Sequence, residues 1–211
     1  MRNSNNYIKN RENPFEVMSS EAKYWVGYIF ADGHITYNEK TRNYSISLFS
    51  KDENIMKSFQ RFIGEKAHFY KRPSGICQVT YNSKPITYWF MNTFNIEEKK
   101  ALVLNPTVDL DWDIIHGYFD GDGCVRMSLS KKRWKRYEAK FTTGSIIWAN
   151  RIKDFLEKEG ISSTLKQKGN AWDINILGKA NLFLFYTKMY ESNTSKLEYK
   201  YNQFVSLFSN E

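Results

Sequence analysis

Cysteine is scarce in this chain: there are 2 in 211 residues, Cys77 and Cys124, and they show neither a metal-ligand spacing nor a disulfide framework. A disulfide-stapled secreted scaffold and a cysteine-built zinc site are both excluded. No apolar run approaches the roughly 20 residues of a membrane span. The opening Met1-Arg2-Asn3-Ser4-Asn5-Asn6 lacks the apolar core of a secretory signal and reads as a polar arm. The expected setting is a reducing interior, cytoplasmic or, in a eukaryotic host, organellar, with no membrane partner. Acidic residues are also in deficit, 23 against 31 Lys and Arg, for a net charge of +8 and a pI near 9.3. Both halves share the excess, with 15 basic against 10 acidic residues through position 105 and 16 against 13 beyond it. Together with 17% aromatics, that balance points to a polyanionic partner.

What the chain does have is one short pattern written twice, Trp25-Val26-Gly27-Tyr28-Ile29-Phe30-Ala31-Asp32-Gly33 and Ile115-His116-Gly117-Tyr118-Phe119-Asp120-Gly121-Asp122-Gly123, 90 residues apart. Each copy is an apolar helical run ending in Asp-Gly. Gly27 and Ala31 share one helix face, as do Gly117 and Gly121, so two such helices can bring their backbones close together. Glycine inside a helix costs roughly 0.5–1 kcal/mol against alanine, which argues for a packing reason at Gly27 and Gly117. The final Asp is placed against the helix dipole, disfavoured by up to about 1 kcal/mol unless a cation joins it. The following Gly is expected to adopt the left-handed cap. Two such helices side by side would gather Asp32 and Asp122 into a site for a divalent metal.

The repeat extends beyond the motif. A hairpin follows the first copy (His34–Tyr37 and Tyr44–Phe49), then an amphipathic helix near Glu53–Ile63, strands at His68–Tyr70 and Ile76–Tyr81, and a helix near Pro85–Phe94. The second half repeats that order: Cys124–Leu129 and Tyr137–Thr142, a helix near Ile146–Glu159, strands at Ser163–Gln167 and Ala171–Ile176, and a helix near Lys179–Tyr190. Lys51 falls opposite Gly144. The expected organisation is an arm over 1–19, repeats over 20–104 and 113–205, a linker over 105–112 capped by Asp111 or Asp113, and a tail over 206–211. The fold class is α+β: a duplicated αββαββα unit forming a pseudo-two-fold monomer, with two four-stranded antiparallel sheets making a saddle. A two-stranded ribbon fits the DNA major groove, so a saddle can lay one on either side of the dyad.

The paired Gly27–Gly33 and Gly117–Gly123 segments resemble the double signature of the LAGLIDADG homing endonucleases. Ser83-Lys84-Pro85 with Lys99-Lys100-Ala101-Leu102, and Leu197-Glu198-Tyr199-Lys200-Tyr201, are similar to that family's repeat endings. The resemblance spans about residues 20–205. It implies a monomeric endonuclease, needing no protein partner, that cuts both strands of a long asymmetric double-stranded DNA site across the minor groove and leaves 3′ overhangs. It implies Mg²⁺ held by Asp32 and Asp122 with help from the peptide oxygens of Ala31 and Gly121; Mn²⁺ would substitute, and Ca²⁺ would support binding. It further implies a polar or basic helper near the attacking water, at Ser50 or Lys51 and at Lys99 or Lys100 in the first repeat, and at Lys200 late in the second. Lys51, Lys100 and Lys200 are the catalytic candidates. Gly144, at the position matching Lys51, offers no side chain, so the two centres are unequal. Asp120 and His116 read as structural residues.

On the expected saddle, the candidate DNA contacts are Lys40, Arg42, Ser47, Arg72, Lys140, Lys166, Lys168 and the basic turn Lys131-Lys132-Arg133-Trp134-Lys135-Arg136. That turn is balanced between a phosphate contact and a solvated loop, with Trp134 favouring DNA. The rival reading is a nucleic-acid-binding protein on the same scaffold that does not cleave, such as an intron RNA maturase or a transcription regulator. The presence of both Asp32 and Asp122 favours the nuclease.

Overall fold

The computed structural model describes residues 13–96, 104–129, 135–191 and 195–209. The expected order of elements is present, with boundaries that move by a residue or two. The first repeat runs α1 (Ser20–Asp32), β1 (His34–Asn38), β2 (Asn43–Ser50), α2 (Glu53–Ile63), β3 (His68–Lys71), β4 (Cys77–Asn82) and α3 (Lys84–Phe94). The second runs α4 (Trp112–Asp122), β5 (Gly123–Leu129), β6 (Lys135–Thr143), α5 (Ile146–Lys158), β7 (Ser163–Lys168), β8 (Ala171–Leu177) and α6 (Lys179–Met189). The sheets have the matching orders β1-β2-β4-β3 and β5-β6-β8-β7, with every pairing antiparallel.

Helix starts follow from short polar caps. Ser19 accepts from the Ala22 amide, Asp52 from those of Asn54 and Ile55, and Ser145 from that of Trp148. Of the two candidates for α4, Asp111 is the cap, accepting from the Ile114 amide at 3.0 Å, while Asp113 lies in the first turn. Residues alternate between the two sides of each sheet. Ile35, Ile46, Leu48, Val79 and Tyr81 in the first sheet, and Val125, Ala139, Phe141, Ile174 and Ile176 in the second, are buried in the core. The opposite faces carry the polar residues.

Three expectations change. The described part of the N-terminal arm is anchored, because Phe15 is fully buried and stacks edge-on against Phe62 and Phe90. Residues 206–209 are not tail but the end of a further helix, α7 (Glu198–Ser209), whose Phe204 is buried against Phe119 and Phe185. Its apolar residues have no long periodic run before them, so the segment read as a repeat ending alone. Gly33 and Gly123 are not left-handed: their φ values are −71° and −87°, so each is extended backbone. Glycine is required there by crowding, as a Cβ on Gly33 would sit 2.5 Å from the Ile29 carbonyl oxygen and one on Gly123 2.5 Å from that of Phe119.

Candidate metal centre and nucleic-acid interface

Helices α1 and α4 are buried nearly all round and pack against each other through their glycines. A Cβ on Gly27 would fall 2.0 Å from the Ile114 carbonyl oxygen, and one on Gly117 1.8 Å from that of Tyr24. Tyr24 and Ile114 occupy matching positions in the two copies, so the contact is made twice, related by the pseudo-two-fold. Further along, a Cβ on Gly121 would meet the Ala31 Cβ at 2.3 Å. The crossing therefore extends to the last turn of both helices, where Asp32 and Asp122 are the final residues and both are exposed.

This arrangement suits a hard divalent cation. Two carboxylates, together with the end carbonyls of two converging helix dipoles, concentrate oxygen ligands and negative potential at one place. Among the described residues, no group of three or more His, Cys, Asp and Glu side chains forms a metal cage. The donor set instead suits a hard divalent ion that keeps several of its waters and is held by one or two carboxylates.

Beside Asp32 lies a cleft of about 470 Å³ lined by residues of both repeats, Ser50, Lys51 and Asp52 from one and Asp120, Gly121 and Tyr199 from the other. Lys51 is exposed at its mouth, just beyond the end of β2. The matching segment of the second repeat is built differently. Thr143 is buried, its hydroxyl accepts from the Ser145 amide, and the Ser145 hydroxyl donates to the Leu104 carbonyl. The tyrosines Tyr28 and Tyr118 sit beneath the two ends, and burial, with Asp32 near the first and Asp122 near the second, pushes both phenols well up.

Lys200 is placed in the interior, 2% exposed. Its Nζ donates to the Phe119 and Asp120 carbonyls at 2.6 and 2.7 Å, neutralising the C-terminal end of α4. Burial lowers its pKa, against the opposing pull of Asp120, Asp32 and Asp122. Asp120 is 1% exposed, and its Oδ2 accepts from the Tyr24 hydroxyl and from the Leu197 amide, both at 2.8 Å. His116 packs edge-on between Tyr24 and Tyr190, with Nε2 3.4 Å from Asp120. The sequence pattern could not show this group, because its members lie up to 96 residues apart in the chain. The one available signal was the break in the repeat, where Asp120 and His116 replace Phe30 and Val26.

Residues 111–190 match the family model described as the LAGLIDADG-like domain. The LAGLIDADG meganuclease I-AabMI, bound to uncleaved DNA, superposes with a TM-score of 0.69 at 11% identity, over 90% of this chain and 90% of that one. I-SmaMI, bound to an uncleaved DNA target in the presence of calcium ions, gives 0.63 at 12% identity over 88% and 89%. The LAGLIDADG homing endonuclease I-GzeII, in complex with its DNA target, gives 0.64 at 12% identity over 88% and 89%. The chain has the LAGLIDADG fold. Comparison with curated proteins gives no sequence match.

On this LAGLIDADG scaffold the free faces of the two sheets differ. In the first, Arg72 donates to Gln78, Gln78 to Thr80, and Thr80 shares a hydrogen bond with Ser47, while the Arg72 guanidinium lies over the Phe49 ring. Ser47 is only 4% exposed, so its hydroxyl orients Thr80 rather than meeting solvent. Lys40 and Arg42 are exposed in the β1–β2 turn. In the second sheet the free face is charged. Lys140 and Thr142 both bond Asp173, at 3.2 and 2.9 Å, and Glu138 accepts from Arg126 at 2.7 Å with Arg136 at 3.8 Å. Lys135, Lys166 and Lys168 are exposed. Arg126 was missed in the sequence, although its register opposite Glu138, two places from Lys140 on the same face, was within reach of the strand period. Lys99, Lys100, Lys131, Lys132, Arg133 and Trp134 lie outside the described residues. Among the described residues no helix is long and apolar enough to cross a membrane.

Proposed function

We propose that this chain is a site-specific, metal-dependent DNA endonuclease that acts as a pseudo-symmetric monomer on a long asymmetric duplex. The observation that carries the reading is the placing of Asp32 and Asp122 at the adjoining, exposed ends of a glycine-packed helix pair, each at the start of its own sheet. The DNA complexes of I-AabMI, I-SmaMI and I-GzeII, which share the fold, support a duplex as the partner.

Asp32 and Asp122, with the carbonyls of Ala31 and Gly121, would hold Mg²⁺. When bound, such an ion supplies charge at the scissile phosphate and acidifies a coordinated water. Lys51, at the mouth of the cleft beside Asp32, would orient the attacking water and screen the phosphate. Lys100 is proposed for the corresponding duty late in the first repeat. Lys200 acts differently from the sequence expectation, by fixing the end of α4. The free sheet faces straddle the duplex: Arg72 with Gln78 on one side, and Arg126, Arg136, Lys140, Lys166 and Lys168 on the other. Cuts staggered across the minor groove, with 3′ overhangs, are what the resemblance to the LAGLIDADG homing endonucleases implies for this pair of centres. Mn²⁺ substitutes, and Ca²⁺ supports binding with little cleavage because its looser shell positions water poorly.

The test is a cleavage assay on a randomised plasmid library with Mg²⁺, followed by mapping of the cut ends. Recovery of one long sequence cut on both strands is the expected result. The missing side chain at Gly144 favours a second reading, a binding protein on the same scaffold with an impaired centre. Sequence-selective capture of duplex or intron RNA without any cut would establish that reading instead.

A further inference from the structure

We infer that the Tyr199 hydroxyl donates a hydrogen bond to the phosphate of the strand cut at the Asp32 centre, and that Asp120 and Lys200 fix its position. The inference rests on the endonuclease reading and adds a residue to it.

Tyr199 lies in the first turn of α7, remote in sequence from both motifs, yet it lines the same cleft as Asp32 and Lys51. It is 53% exposed, one of several large side chains left at the surface among the described residues. The turn that carries it is held at two points. The Asp120 carboxylate accepts from the Leu197 amide at the start of α7, and Lys200 donates to the last carbonyls of α4. Both charged groups are buried, so the three bonds lock the N-terminal end of α7 against the C-terminal end of α4, with their dipoles complementary. Tyr199 is bracketed by these bonds and has little freedom beyond its own rotamers. The latch is one-sided, since Phe30 in the first motif cannot do what Asp120 does in the second.

The chemistry of the cleft matches a neutral donor. A phenol is protonated at neutral pH, and burial, then Asp120, Asp32 and Asp52, raise that of Tyr199 further. A phenol O–H can approach a phosphate oxygen without repulsion and without competing with Asp32 for a metal ion. A donor aimed at developing negative charge in a partly dry site typically contributes about 10²–10³-fold in rate, and one at the cleft's edge contributes less.

The experiment is Tyr199→Phe, which removes only the hydroxyl, assayed on the duplex recovered from the library with each strand labelled separately. Cleavage of one strand should slow by about tenfold or more while the other keeps its rate, so nicked duplex accumulates. Affinity measured in Ca²⁺ should stay within about twofold, and the thermal melt should be unchanged. Equal slowing of both strands, unchanged rates on both, or a loss of affinity that accounts for the slowing would each overturn the role given to Tyr199 while leaving the endonuclease reading intact. Absence of any cut by the unmodified protein would overturn that reading, and this inference with it.

Discussion

At the scale of single residues, the closest constraints fall on glycine and aspartate. Gly117 faces the Tyr24 carbonyl so closely that even one methyl group would overlap backbone rather than a movable side chain. Gly117→Ala is therefore expected to destabilise by the over-packing range, about 1–3 kcal/mol, and Gly117→Leu by more. A thermal melt that finds Gly117→Ala neutral would mean that the helices do not cross there. Asp32→Asn and Asp122→Asn keep the side-chain shape but remove the charge proposed to recruit the ion. Each should abolish double-strand cleavage while duplex binding persists in Ca²⁺. Full double-strand cutting by either variant would remove that acid from the site. The aspartates and the interface glycines were legible because the motif occurs twice. The reason for Gly33 and Gly123 was not, since a crowded extended turn and a left-handed cap favour the same residue.

At the scale of elements, the junction between α4 and α7 decides how the second repeat ends. Lys200→Met removes two charge-assisted bonds to carbonyls that have no water to turn to, and should cost about 1.5–3 kcal/mol. Its melting temperature should fall well below that of a variant at an exposed α7 position such as Gln203→Ala. A second junction ties α4 to α5 and α6, where Glu159 accepts from the Trp112 indole at 3.0 Å and from Lys188 at 3.3 Å. The Trp112 bond first, and Lys188 with it, hold the Glu159 carboxyl below its usual value of 4.5. A depressed carboxylate contributes stability that is full above its unfolded value and is lost as pH falls through the lowered folded one. Glu159→Gln should therefore flatten the stability profile below about pH 4.5, with little change in slope at neutral pH. A parallel loss of stability in both proteins on acidification would assign the acid limb to other groups.

At the scale of the whole molecule, two sheets of the same topology present unlike faces. The first offers a chain of hydrogen bonds that runs from the Arg72 guanidinium through neutral side chains to Ser47, and the second an array of paired charges around Glu138 and Asp173. Lys166 and Lys168 stand exposed on that second face. Replacing both by Ala should reduce the slope of log affinity against log salt by about 0.9 for each phosphate that the pair neutralises, for all sequences alike. An unchanged slope would return them to solvated charge. Arg126→Ala, by contrast, should relax base preference on one side of the target, because a guanidinium oriented by Glu138 is suited to base edges. A uniform weakening across all targets would make Arg126 a backbone contact.

The duplication, the order of elements through α6, the strand alternation and the placing of the two aspartates at matching helix ends were all readable from the order of residues. These are local or periodic features: strand alternation, caps such as Asp52 and Ser145, and a motif repeated at fixed spacing, each legible without knowledge of what packs on it. The boundaries of α2, Glu53–Ile63, were legible for the same reason. Folding in three dimensions was needed to show that Lys200 is buried, that Asp120 grips the start of α7, that Ser47 is covered, and that Tyr199 reaches the cleft of Asp32. Those interactions join residues tens of positions apart, and the free energy of burying a charge depends on which distant groups meet it. That information belongs to the packing of α7 on α4 and of the strands within the first sheet, and has no period in the chain.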